Sequence, residues 1–337
     1  MAIDYPSLDT PTAGATRFNT DSSQLEIYDG NQWVHALTTS PELHTGGTRG
    51  LFWNGYEGSS NINKIEYINL DSTGNATDFG DSTVTARQRG SLASRSRSLG
   101  LGGYADPGTN TDTIDYVTIA STGNASDFGN LSAATIEMPR GISNPTRGII
   151  AGGQNPGTTD TIEYVTIATT GNAADFGNLT VARGGMAGNG GSPTRGVFGG
   201  GNPNTNVIDY ITISTLGNAA DFGDLTQARR NGSSGQTSNA VRCIFFGGQT
   251  PTLQKTTDYI TIAALGNALD FGDIGSTSCQ LGGCASPTRA VWAGGYSPGS
   301  QIEYVHIMTT GNAVDYGDLG AARQQPAGSS NGHGGLG

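Results

Sequence analysis

Lysine is almost missing from this sequence. Lys64 and Lys255 are the only two; the other cations are arginines, and no cationic run exists. A net charge of −11 without a basic stripe leaves no electrostatic footprint for a phosphate backbone, so nucleic acid is not an expected partner. An anionic membrane surface would repel the same chain. No window approaches the roughly 18 apolar residues of a spanning helix, so no membrane insertion is expected. The opening stretch "MAIDYPSLDT" has neither a basic n-region nor an apolar run, and no signal peptide is read there. Cys243, Cys279 and Cys284 are too few, and odd in number, for a disulfide framework. Cys279 and Cys284 would pair only if adjacent strands joined them; the plainer reading is small residues filling gaps between strands. The histidines, His35, His44, His306 and His333, share no ligand spacing, and calcium loops of alternating Asp are absent. No metal, cofactor or catalytic residue is therefore expected.

What is abundant is glycine, 54 of 337 residues, beside 34% hydrophobic and only 13% charged residues. That composition suits many short strands joined by tight turns. The glycines fall on a period. An Ile-acid-Tyr core recurs at Tyr67, Tyr116, Tyr164, Tyr210, Tyr259 and Tyr304, spaced 49, 48, 46, 49 and 45 residues apart, with Thr257 alone breaking the leading Ile. Gly-Asn-Ala recurs at Gly74, Gly123, Gly171, Gly217, Gly266 and Gly311. Asp-aromatic-Gly recurs at Asp78, Asp127, Asp175, Asp221, Asp270 and Asp315. An arginine opens an apolar run at Arg49, Arg97, Arg147, Arg195, Arg242 and Arg289.

Each repeat reads as a four-stranded meander. "TRGVFGGG" is one strand, whose closing glycines sit where strands crowd. "VIDYITIS" is the next. Alternation puts Ile208, Tyr210 and Thr212 on one face and Val207, Asp209, Ile211 and Ile213 on the other. Two largely apolar faces mean cover on both sides. Gly-Asn-Ala is a tight reversal, and "DFGDLTQAR" returns as the outer strand. Polar segments such as "RRNGSSGQTSN" supply the first strand of the next repeat. Six such sheets packed radially would bury one another's faces in a closed ring. The first repeat lacks a preceding first strand, so residues 323–331 are expected to complete the sheet begun by residues 47–87.

In order and content these repeats, "LTVAR…TRGVFGGG…VIDYITIS…DFGDLTQAR", resemble the kelch-type β-propeller, the architecture also of the galactose oxidase central domain. The resemblance implies an all-β fold: a six-bladed β-propeller of kelch-like four-stranded blades, preceded by a small N-terminal β-meander and closed by the C-terminal strand. The implied domains are 1–40, 41–331 and a Gly-rich tail at 332–337. Kelch repeats usually carry Trp late in the unit, where this chain has Phe79, Phe128, Phe176, Phe222, Phe271 and Tyr316. Propellers host many functions, so the resemblance carries fold and not activity.

Asp-Phe-Gly also occurs in protein kinases, but the Gly-rich loop, the Val-Ala-x-Lys strand and the His-Arg-Asp loop are absent. Six copies suit architecture: the aspartate accepts turn hydrogen bonds and the aromatic packs between sheets. The arginine before each apolar strand and the acid of Ile-acid-Tyr are read as a structural ion pair.

Residues 1–40 stand outside the repeat. They read as three short strands near Arg17-Phe18, Gln24–Tyr28 and Gln32–Ala36, with turns at Asn19–Ser23 and Asp29-Gly30-Asn31. Phe18, Leu25, Ile27, Tyr28 and Trp33 need a surface to bury against and are the candidate docking residues. The series Gly14, Ala15, Arg17, Phe18, Asn19, Thr20, Asp21, Leu25, Glu26, Tyr28, Asp29, Gly30 and Trp33 resembles an element of bacteriophage virion proteins, notably in phages of cyanobacteria. That resemblance implies a virion protein assembled in the host cytoplasm. Its expected partners are capsid, neck or tail proteins and a host surface glycan or protein, and it is expected to be oligomeric in the particle. The alternative is a bacterial kelch-type binding module. The loops after each apolar strand vary in sequence, and variable loops on a rigid scaffold carry recognition. Their leading residues, Tyr56, Tyr104, Gln154, Asn202, Gln249 and Tyr296, are the candidate recognition residues.

Overall fold

A computed structural model describes residues 11–19, 24–35, 48–135, 138–296 and 299–337. The chain divides into two compact units, Met1–Thr45 and Gly46–Gly337, close to the expected boundary after residue 40.

The small unit is an antiparallel sheet of Thr16–Asn19, Gln24–Tyr28 and Trp33–His35. Residues 20–23 of the first turn, Ala36, His44, and the side chains of Phe18, Leu25 and His35 lie outside the described residues. In the second turn the Asp29 carboxylate accepts the backbone N–H groups of Asn31 and Gln32, both at 2.8 Å. The bonds from Gln32 and Asn31 hold that carboxyl below its usual range.

In the large unit the repeats fold as antiparallel four-stranded meanders. The fourth repeat is representative: Gly188–Gly191, Arg195–Gly199, Val207–Thr212 and Ala220–Asp224 lie side by side in that order. The third repeat has the same order over Arg140–Ser143, Arg147–Ala151, Thr161–Thr166 and Ala174–Asn178. The sheets of the first and second repeats are joined through Tyr104–Ala105, which pairs with both Thr77–Arg87 and Thr109–Thr118. The first strand of the fifth repeat is irregular. Ser233–Ser234 pairs in parallel with Leu281–Gly282, whereas Ser238 bridges Cys243. Ala327–Ser330 pairs antiparallel with the first repeat, Ala327 opposite Trp53 and Ser330 opposite Gly50, so the expected pairing of the C-terminal segment forms.

Alternation decides what each strand faces. Ile211 and Ile213 join Ile142, Ile149 and Phe176 of the third repeat in one buried cluster. Ile208 and Phe222 join Phe245, Ile260 and Ile262 of the fifth repeat in the next. Similar clusters join each neighbouring pair of repeats, and one of them packs Val291 and Ile302 of the last against Phe52 and Ile68 of the first. The first strands crowd together: a Cβ at Gly141 would strike the Ser91 carbonyl, and one at Gly328 the Gly283 carbonyl. Glycine permits that approach.

The C-terminal segment lies within the large unit rather than standing off as a tail. Gly334–Leu336 forms a buried 3-10 turn. Its Gly334 N–H donates to Ser238 O at 2.7 Å, and the buried His333 ring meets Ala93 O at 2.8 Å. Arg95 Nη2 donates to Leu336 O at 2.8 Å.

Candidate functional site

Two arrays of arginine organise the large unit, and the sequence reading confused them. Arg49, Arg97, Arg147, Arg195, Arg242 and Arg289 do not pair with the acid of Ile-acid-Tyr. Each lies over the tyrosine of its own repeat, from 4.5 Å for Arg242 on Tyr259 to 4.9 Å for Arg49 on Tyr67. Each also donates to a carbonyl of the following repeat, as Arg195 does to Ile262 O at 2.7 Å. The reason is geometric. The arginine opens its strand opposite the end of the tyrosine strand, Arg195 facing Thr212, so its guanidinium reaches the ring and not the acid deeper in the sheet.

In four repeats the acid is met by a different arginine, carried in the segment leading into that repeat. Arg89 pairs with Asp115 at 2.8 Å, Arg183 with Asp209 at 2.9 Å, Arg229 with Asp258 at 2.9 Å and Arg323 with Glu66 at 2.9 Å. All four guanidinium groups are fully buried. Burial lowers the pKa of Arg183 and Arg229, and the paired aspartates oppose that shift. Arg183 also donates to Val207 O at 2.8 Å and Phe198 O at 3.3 Å. Such a pair fixes register between consecutive repeats rather than adding large net stability.

The Asp-aromatic-Gly tripeptide is likewise architectural, though not as expected. The six aspartates are exposed, and the asparagine of Gly-Asn-Ala takes the clamping role. Asn124 Oδ1 accepts the Asp81 N–H at 3.0 Å, and the same bond recurs in every repeat, closing with Asn75 on Asp318 N–H at 3.0 Å. The glycine of the tripeptide has positive φ, 147° at Gly177, and a Cβ there would strike the Gly217 carbonyl. The aromatic is buried and meets the repeat tyrosine edge-on, Phe176 against Tyr164 at 6.3 Å. The expectation for the aromatic holds; the one for the aspartate does not.

Of the candidate recognition residues, Tyr296 is 56% exposed, and Tyr56, Tyr104, Gln154, Asn202 and Gln249 are half-buried. Four of them share a backbone role as well. Tyr56 pairs with Gln324, Tyr104 with Arg87, Asn202 with Gly184 and Gln249 with Arg230. The structure brings two of them together around a residue the sequence reading missed. Arg87 lies 4.9 Å from the Tyr56 ring and 5.0 Å from the Tyr104 ring. Gln154, Asn202, Gln249 and Tyr296 form no such group. Arg230 instead donates to Asn202 Oδ1 at 2.8 Å, and Gln249 Nε2 to Pro251 O at 3.0 Å.

In the small unit, the Tyr28 and Trp33 rings meet at a tilt of 57°, 5.5 Å apart, with Arg17 4.3 Å over the Trp33 ring. Arg17 Nε also meets Glu26 at 2.7 Å. Alternation places Ile27, 37% exposed, on the opposite face from Tyr28, so the candidate docking residues divide between two faces.

The three cysteines are free and buried. Burial pushes their thiols up, Cys279 to about 12 and Cys243 and Cys284 higher, which leaves no reactive thiolate. Among the described residues, no group of three or more His, Cys, Asp or Glu could hold a metal ion. In comparison with known proteins, no family model matches the chain and no curated protein is similar enough to count as a relative.

Proposed function

We propose that the chain is a non-enzymatic structural protein of a bacteriophage particle, built as a six-bladed, kelch-like β-propeller. It is attached through its N-terminal element and decorates the particle or meets the host surface. The ring reading rests on the clusters that link successive repeats and on the strand Ala327–Ser330 in the first sheet. The attachment reading is carried by one observation. The first unit is a separate three-stranded sheet, too small to hold its own fold, with Trp33 and Tyr28 in contact on one face and Ile27 on the other. A surface outside the sheet is what such an element requires.

The test is incorporation. Mass spectrometry of purified particles is expected to find the full chain and to miss a version lacking residues 1–40 that still folds. Retention of the shortened chain in particles contradicts the attachment role. The second reading, a binding module for glycan or protein outside any virus, has the Tyr56–Arg87–Tyr104 group in its favour, because aromatic and guanidinium faces suit polar surfaces. A glycan array probed with the full chain separates recognition from pure decoration.

A further inference from the structure

The buried guanidinium slot between consecutive repeats is filled in four places and open in one whose acid lines the space. In the fourth repeat, Arg183 meets Asp209, Val207 O and Phe198 O. Aligned on the repeat, the third has Thr135 in place of Arg183, with Glu163, Thr161 and Ile150 in place of the three acceptors. Threonine is too short to reach across. A cavity of about 220 Å³ opens there, lined by Thr135, Glu163, Thr161 and Ile150 together with variable-loop residues Asn155 and Thr159.

Glu163 forms part of that wall and is only 7% exposed. Its Oε1 accepts the Ser132 N–H at 2.9 Å, just as Asp209 accepts the Thr180 N–H at 3.0 Å. Among the described residues no cation pairs with it. Arg140, the arginine nearby in sequence, donates instead to Met186 O on the side of the fourth repeat. The sixth repeat shows that losing the arginine opens the space. Ser278 stands at its position, and a cavity of about 440 Å³ is lined by Ser278, Trp292 and Gln301. There Glu303 accepts the Gly275 N–H at 2.9 Å, the same bond that Glu163 makes to Ser132, but Glu303 is not among the residues that line the cavity.

We propose that the Glu163 cavity binds a guanidinium group brought by a ligand, which takes the place that arginine side chains occupy in four other repeats. The planar fork of guanidinium matches one carboxylate flanked by carbonyls better than a point-charge ammonium does. A net charge of −11 draws cations toward the chain. The inference rests on the equivalence of the repeats and not on the attachment role proposed above.

Calorimetric titration of the full chain with agmatine, at fixed ionic strength, tests it. One saturable site is expected, with butylamine bound at least about tenfold more weakly. The site should vanish in Glu163→Gln. It should vanish also in Thr135→Arg, whose own side chain would fill the slot while melting holds or rises. A Gly-Arg-Gly peptide binding as well as agmatine assigns the group to a partner's arginine; agmatine binding alone assigns it to a small molecule. No saturable agmatine binding, no preference over butylamine, or binding that survives Thr135→Arg in a folded protein overturns the proposal. If Glu163→Gln does not fold, the Thr135→Arg result decides.

Discussion

Arg183 shows what one residue does in a stack of sheets. Its side chain comes from the segment before the fourth repeat, and its charge is met by Asp209 within that repeat. Asp209 in turn accepts the Thr180 hydroxyl at 2.6 Å from the bend just after the outer strand of the third repeat. Replacing only one partner strands a buried charge. Arg183→Met is expected to lower stability by about 3 kcal/mol or more, and Arg183→Met with Asp209→Asn by less than the sum of the two single changes. Urea unfolding of the single and double variants measures this; full additivity would mean the two groups act independently. The array that opens the apolar strands was visible in the sequence as a recurrent residue. Which arginine met which partner was not, because the choice depends on strand register and on the direction a long side chain leaves its backbone.

Among the elements, the C-terminal turn is the most consequential, because it ties together the first-strand ends of different repeats. His333 meets Ala93 of the second repeat and Ser143 of the third, and Gly334 meets Ser238 of the fifth. Burial lowers the His333 pKa to about 4, which keeps the folded ring neutral. The sign follows from linkage. The unfolded histidine takes up a proton near pH 6.5 and the folded one does not, so its contribution is complete above that pH and is lost as pH falls toward 4. The loss amounts to up to about 3 kcal/mol. Stability profiles of the chain and of His333→Gln, compared from pH 7 to 4, should therefore converge as the pH falls. Parallel profiles would show that the buried ring does not titrate in this range. Composition alone made residues 332–337 read as a tail. Their glycines instead let backbone enter a space where a side chain would collide: a Cβ at Gly335 would strike the Ser143 carbonyl.

At the scale of the molecule, the strand Ala327–Ser330 links the end of the large unit to its beginning. Arg323 strengthens the junction through Glu57 and Glu66, both at 2.9 Å. Deleting residues 323–337 is expected to lower the unfolding midpoint by about 10 °C or more, since it opens a sheet and exposes the faces beneath. An unchanged midpoint would show that the repeats stand without closure. The count of repeats, the strand order of the third and fourth and the pairing of the last strand with the first all followed from the chain read as letters; the irregular first strand of the fifth did not. A period near 48 residues and a period of two within strands are local properties, and local properties survive without coordinates. The asparagine clamp, the exchange of arginine partners and the Glu163 cavity did not follow. Each arises between repeats that meet only after folding, where side-chain reach and not sequence spacing sets who touches whom. Thr135 and Ser278 stand where Arg183, Arg229 and Arg323 stand in other repeats; that Glu163 lines a cavity beside Thr135 was decided by tertiary packing alone.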